Sequence, residues 1–179
     1  MPVTIKHYEA KFKKELSPKV GLIALSTDQT IENDFNNICK NLPIDIFVNR
    51  IHNQNPLTKE NLLKMQDDLE LVASRILPDE KISTIAYGCT SGTIAIGETK
   101  VRDKILLAKP GCYVTTPVTS AVKAFKIMNV SSWEFLEIPA TTVHQVPVAE
   151  LNGKINDFLK LHNPDWVFIP FPDRHIDHR

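Results

Sequence analysis

The sequence predicts an α/β fold: a parallel sheet with helices on both faces. Three observations predict it. Short apolar runs of strand length alternate with helix-compatible stretches from residue 20 to residue 169. Polar turns rich in Ser, Thr and Gly follow the first, third and fourth runs. A length of 179 residues, with 42% apolar and 23% charged residues, suits one globular domain with its own core.

Residues 1–18 read as a polar lead-in. Residues 20–25 form the first apolar run, and Ser26, Thr27, Asp28 and Thr30 after it can cap a helix. Ile31, Phe35 and Ile38 recur at helical spacing, and Pro43 marks a break. Residues 44–48 are a second strand, and 53–56 a loop. Thr58 is a good N-cap for a helix whose Leu62, Met65, Leu69, Val72 and Ile76 make one stripe facing a sheet. Asp67 and Asp68 fall mostly off that stripe and read as a solvated face.

Residues 82–87 are the third strand. A single helix is expected from Thr93 to about Ala108, ending before the turn pair Pro110-Gly111. Residues 112–115 are a fourth strand. Thr116-Pro117-Val118 opens a helix with Pro in its first turn, and Val118, Val122, Phe125 and Met128 line one side of it. A fifth strand is expected at 133–138 and a last strand at 166–169. Between them, a helix is expected at 146–161, weakened by Gly153.

Lys plus Arg equals Asp plus Glu, 21 each, so nothing in the charge favours a nucleic-acid or acidic-membrane partner. Lys11, Lys13 and Lys14 read as a solvated face or tail. Three cysteines, Cys39, Cys89 and Cys112, fit neither a disulfide framework nor a zinc site and imply a reducing, cytoplasmic setting. The first 14 residues are too polar for a signal peptide, and no apolar run approaches membrane-spanning length.

The most informative turn is Tyr87-Gly88-Cys89-Thr90-Ser91-Gly92. It puts a thiol where a buried strand ends and a helix begins. Amide N–H groups there are unpaired, and the helix end carries partial positive charge, so the thiol is expected to shift toward thiolate. Gly88 and Gly92 permit close backbone approach, and Thr90 and Ser91 add hydroxyl donors. The set makes a cradle for a carboxylate with a nucleophile inside it. The same thiol also reads as a small buried residue. A phosphatase-type loop is excluded, because it needs Arg six residues after the Cys and Ala95 stands there. In parallel sheets ligands bind beyond the carboxyl ends of the strands. The turns at 26–30, 88–92 and 115–120 all fall at such ends and can converge. Helix capping alone would account for many of the same residues.

Three segments, 21–32 (GLIALSTDQTIE), 86–93 (AYGCTSGT) and 114–121 (VTTPVTSA), carry a resemblance to a known family. With Val48-Asn49-Arg50-Ile51 and Ile96-Gly97-Glu98, the chain resembles the aspartate/glutamate racemase superfamily over residues 18–130. The branch it looks like holds maleate cis-trans isomerase, arylmalonate decarboxylase and ectoine-utilisation protein A. The resemblance implies two pseudo-symmetric, flavodoxin-like α/β halves with one active site between them. It implies no metal and no organic cofactor. It also implies a pair of cysteines, one per half, acting on opposite faces of a small carboxylate. Cys89 matches the first of the pair, which in maleate isomerases adds to the double bond so that it can rotate. Thr90, Ser91 and Gly92 match the carboxylate-binding turn, with Thr116 and Thr119 beside them. Asp28 stands where maleate isomerases commonly carry Asn. Ionised, it would repel a carboxylate; protonated, it would donate to one.

The chain departs from the family after residue 130. Residues 131–145 fit the expected start of a second half poorly, and no Cys follows Cys112. Residues 131–179 therefore read as a partial or divergent second-lobe segment of a shortened or disrupted member. Racemisation by two opposed thiols is not expected without the second Cys. The expected function is a cofactor-independent isomerase, racemase or decarboxylase acting on a small (di)carboxylate through Cys89. The alternative is an inactive carboxylate-binding or vestigial domain whose uncovered apolar face favours self-association into a homo-oligomer. His175 and His178, with Asp173 and Asp177, read as a solvated tail rather than a metal site.

Overall fold

The structure, a computed structural model, describes residues 17–130, 138 and 142–167. Among the described residues four strands, β1 (Lys19–Leu25), β2 (Asp45–Ile51), β3 (Thr84–Tyr87) and β4 (Tyr113–Thr115), form an all-parallel sheet in the order β2-β1-β3-β4. The helices are α1 (Ile31–Cys39), α2 (Lys59–Ser74), α3 (Thr90–Ile96), α4 (Glu98–Ala108), α5 (Pro117–Ile127) and α6 (Val148–His162). This is the α/β architecture expected of alternating apolar runs. The register sets Val20 opposite Thr84 and Ile23 opposite Tyr87, so the turns after β1 and β3 leave the same edge of the sheet.

Side chains alternate across a strand, and the two faces are covered differently. Ile23, Ile85 and Tyr87 point to one face and join a cluster with Leu62, Met65, Leu69 and Val72 of α2 and Val101 and Ile105 of α4. The predicted α2 stripe is therefore buried along its whole length, Ile76 included. Each such side chain contributes roughly 1.5–3 kcal/mol of burial. The opposite face holds Leu22 and Gly88, against which Ile31 of α1 packs. Thr58 caps α2 as expected, its hydroxyl accepting from the Asn61 N–H.

Several expectations need correction. The helix expected at 93–108 begins three residues earlier and is two helices. Gly97 (φ +94°) breaks it, a backbone conformation that glycine tolerates. β2 starts at Asp45 and runs on through Asn49, Arg50 and Ile51, three residues beyond the expected end at Val48. Trp166 and Val167 are exposed and lie in no strand, so the last strand does not start there. The fifth strand expected at 133–138 lies outside the described residues except for Ile138, which is in no element. Gly153 does not interrupt α6. Among the described residues, no helix is long and apolar enough to cross a membrane.

Candidate functional site

The Cys89 turn is built from β3 upward. The Gly88 N–H donates to the Ile23 carbonyl (2.8 Å), which extends the β1–β3 pairing to the edge of the turn. Cys89 then keeps an extended backbone (φ −138°, ψ 109°) and serves as the N-cap of α3. Its Sγ accepts from the Gly92 N–H at 3.2 Å. Thr93 fixes the same residue from below, donating its N–H (3.0 Å) and its hydroxyl (2.6 Å) to the Cys89 carbonyl. Both glycines are required by space. A Cβ at position 88 would collide with Ile31 and stand 3.2 Å from the Ile23 carbonyl oxygen. A Cβ at position 92 would stand 2.5 Å from the Tyr87 hydroxyl and 3.0 Å from Cys89 Sγ.

The expected thiolate shift is reversed. Cys89 is only 6% exposed and belongs to the apolar cluster. Burial pushes its pKa above the ordinary thiol value, and the Asp28 charge adds to the rise. The Gly92 and Ser91 amides and the Tyr87 hydroxyl pull the other way but do not win. The sequence argument weighed the amides and the helix end and omitted desolvation, which is the larger effect here.

Asp28 lies beyond β1. Partial burial raises its pKa, but hydrogen bonds outweigh that and hold it below the usual carboxylate range. Its Oδ1 accepts from the Ile31 N–H (2.9 Å) and the Thr30 N–H (2.8 Å), and Arg50 adds a favourable charge. Asp28, not Thr30, is thus the side chain that caps α1. It is the ionised form, the one that repels a carboxylate, that stands near the sulfur.

Thr116 and Thr119 cap α5 reciprocally. The Thr119 N–H donates to Thr116 Oγ1 (3.2 Å), and the Thr116 N–H donates to Thr119 Oγ1 (2.8 Å). Thr116 is buried, Thr90 is exposed and Ser91 is half-buried. α5 packs against α3, which brings the third turn beside the second. The three turns therefore gather at one edge, with Cys89 and Asp28 in electrostatic reach and the two threonines occupied with each other.

Sequence reasoning missed three residues that build this edge. Arg50 reaches from β2 to the first turn, donating to the Leu25 (3.0 Å) and Asp28 (2.7 Å) carbonyls and pairing with Glu32. Asn53, buried, accepts from the Ser26 (3.0 Å) and Thr27 (3.2 Å) hydroxyls and donates back to Thr27 Oγ1 (2.9 Å). Tyr87 is 1% exposed, and its hydroxyl has no hydrogen bond among the described residues. A polar residue next to a turn signal was the clue for Arg50 and Asn53; nothing local marks the Tyr87 hydroxyl.

Two cavities, of about 760 and 350 Å³, lie at the opposite, amino-terminal edge of the sheet. Neither is lined by Cys89. Among the described residues, no three His, Cys, Asp or Glu side chains gather to hold a metal. His175 and His178 lie outside them.

No protein-family model matches the chain, and no curated protein matches it in sequence. Solved structures do match its fold. The maleate isomerase Iso from Pseudomonas putida S16 superposes with a TM-score of 0.53 at 18% identity, over 63% of this chain and 50% of that one. A cysteine-to-alanine variant of Iso, determined with maleate, gives 0.52 at 18% identity, over 63% and 49%. The maleate cis-trans isomerase of Nocardia farcinica, bound to TRIS, gives 0.53 at 16% identity, over 78% and 72%. The chain thus has the α/β fold of the maleate isomerase structures and spans about half the length of the P. putida protein.

Proposed function

We propose that this protein acts without a cofactor on a small carboxylate such as maleate, with Cys89 as its nucleophile. The observation that carries the proposal is the Gly92 N–H held 3.2 Å from Cys89 Sγ at the carboxyl end of an inner strand, in a fold shared with maleate isomerases. The ionised sulfur adds to one alkene carbon, and the π electrons move into the adjoining carboxylate as an enediolate. The remaining C–C bond is single and rotates. The C–S bond then breaks, the double bond re-forms trans, and the sulfur regains its electron pair. Amides near 90–92, with Thr90, Ser91, Thr116 and Thr119, would hold the carboxylate oxygens and the developing charge. A raised thiol pKa means that the rate should climb with pH until Cys89 ionises. Three free cysteines fit a reducing, cytoplasmic setting.

A second reading has its own support. Cys89 is buried, Asp28 is ionised, and Thr116 and Thr119 satisfy each other. The buried sulfur suits a domain that holds a ligand without turning it over, and the ionised Asp28 and self-paired threonines suit a vestigial domain that associates with itself. Proton NMR of maleate separates the two readings. The catalytic reading predicts fumarate with the parent protein and none with Cys89→Ser. No conversion by either would leave only the binding or vestigial reading.

A further inference from the structure

A buried hydroxyl without a partner is uncommon, because leaving it unsatisfied disfavours the fold. Tyr87 holds such a hydroxyl, in the apolar cluster and beside the sulfur. It and Cys89 Sγ converge on the bare Cα of Gly92, where any larger residue would strike both, the hydroxyl at 2.5 Å and the sulfur at 3.0 Å. The hydroxyl acts on the sulfur by charge and by hydrogen-bonding potential and favours its ionisation, yet the geometry between them falls short of a formed hydrogen bond. A neutral thiol is a weak acceptor, whereas a thiolate is a strong one. The other titratable group acting on the sulfur is Asp28, in the turn after β1, with Arg50 of β2 offsetting part of its charge. Asp28 opposes ionisation, and hydrogen-bond donors to the sulfur offset it. The donors present are the Gly92 and Ser91 amides and this phenol.

We propose that Tyr87 is a positioning residue for Cys89, its unpartnered hydroxyl being the donor that meets the sulfur once the sulfur is negatively charged. The proposal deepens the reading of Cys89 as the reactive atom and rests on that reading for its catalytic meaning. It adds a cost to the resting protein: the hydroxyl is left unbonded until the sulfur ionises.

The test uses the full chain labelled with [3-¹³C]cysteine. The Cβ shift of Cys89, assigned with Cys89→Ser, is followed against pH in the parent and in Tyr87→Phe. Loss of the donor should lower the thiolate fraction at a given pH about tenfold, a rise of about one pKa unit. The melting temperature of Tyr87→Phe near pH 7 should rise by about 2–4 °C, because an unbonded buried hydroxyl has been removed. An unchanged or lowered Cys89 titration would overturn the proposal, and so would a fall in melting temperature, which would mean that the hydroxyl is bonded already. If Tyr87→Phe does not fold, 3-fluorotyrosine supplies a stronger donor without loss of volume and should lower the Cys89 pKa; no shift overturns the proposal. The titration is independent of turnover. A shifted titration without fumarate formation would leave this pairing intact and end the isomerase reading. Cys89-dependent fumarate with an unshifted titration would do the reverse.

Discussion

The two faces of this sheet are made to different standards. On one, α2, α3 and α4 seal Ile23, Ile85 and Tyr87 under a continuous layer. On the other, α1 contributes no buried residue, although Leu22 and Ala24 of β1 are themselves buried; α5 and α6 contribute none either, and Ile127, Val148 and Leu161 are exposed. The candidate site straddles that difference. Cys89 and Tyr87 belong to the sealed side, whereas Thr90 and Asp28 stand nearer to solvent. The buried layer holds the sulfur, and the more exposed residues stand where a ligand would arrive. The sulfur gains a fixed position from this and loses acidity by it.

The comparison predicts the largest effects on the sealed side. Leu69→Ala, at a site with no exposure, should cost about 2–5 kcal/mol by urea unfolding. Ile127→Ala, on a helix without buried residues, should stay within about 0.5 kcal/mol. Equal costs would mean that the two faces are not as different as described.

Gly92→Ala probes the seam between the regions. Its Cβ must displace Tyr87 or Cys89, so it should cost about 1–3 kcal/mol in the same assay. Thr116→Ala removes the cap of α5 and should cost about 1 kcal/mol. A negligible loss there would show that the capping box adds little to α5.

Smaller effects follow from ionisation. Cys89, Cys112 and Tyr87 all have their pKa raised by burial on folding. Each keeps its proton longer in the folded state than the unfolded chain does. From these three groups stability should be level between pH 7 and about pH 8.5, the unfolded thiol value, and fall as pH rises beyond it. Thermal unfolding from pH 7 to 10 should show this fall, and Cys89→Ser should lessen it. Asp28→Asn removes a like charge from beside the sulfur, so the Cys89 titration should move to lower pH. An unchanged titration would disconnect the first turn from the second.

Much of this was legible in the sequence, for identifiable reasons. The α2 stripe and its Thr58 cap were readable because period and cap chemistry are local. So was the strand-to-helix switch at Cys89. The extension of β2 was hidden because Asn49 and Arg50 carry their polar ends to neighbouring backbone. The break at Gly97 was hidden because a lone glycine can also be tolerated inside a helix. The direction of the Cys89 shift was hidden because desolvation depends on what packs over the turn. Leu62, Met65 and Leu69 of α2 lie about 20–30 residues earlier in the chain, and their proximity is a property of the fold.

The reactivity of Cys89 is best tested by site-resolved alkylation. Iodoacetamide labelling of Cys39, Cys89 and Cys112 is followed by peptide mass spectrometry from pH 7 to 10, with and without maleate. The account predicts Cys89 labelling that is slow at pH 7, accelerates as the thiol ionises, and is suppressed by maleate. Labelling of Cys89 that appears only when the protein unfolds, and that maleate does not change, would contradict it.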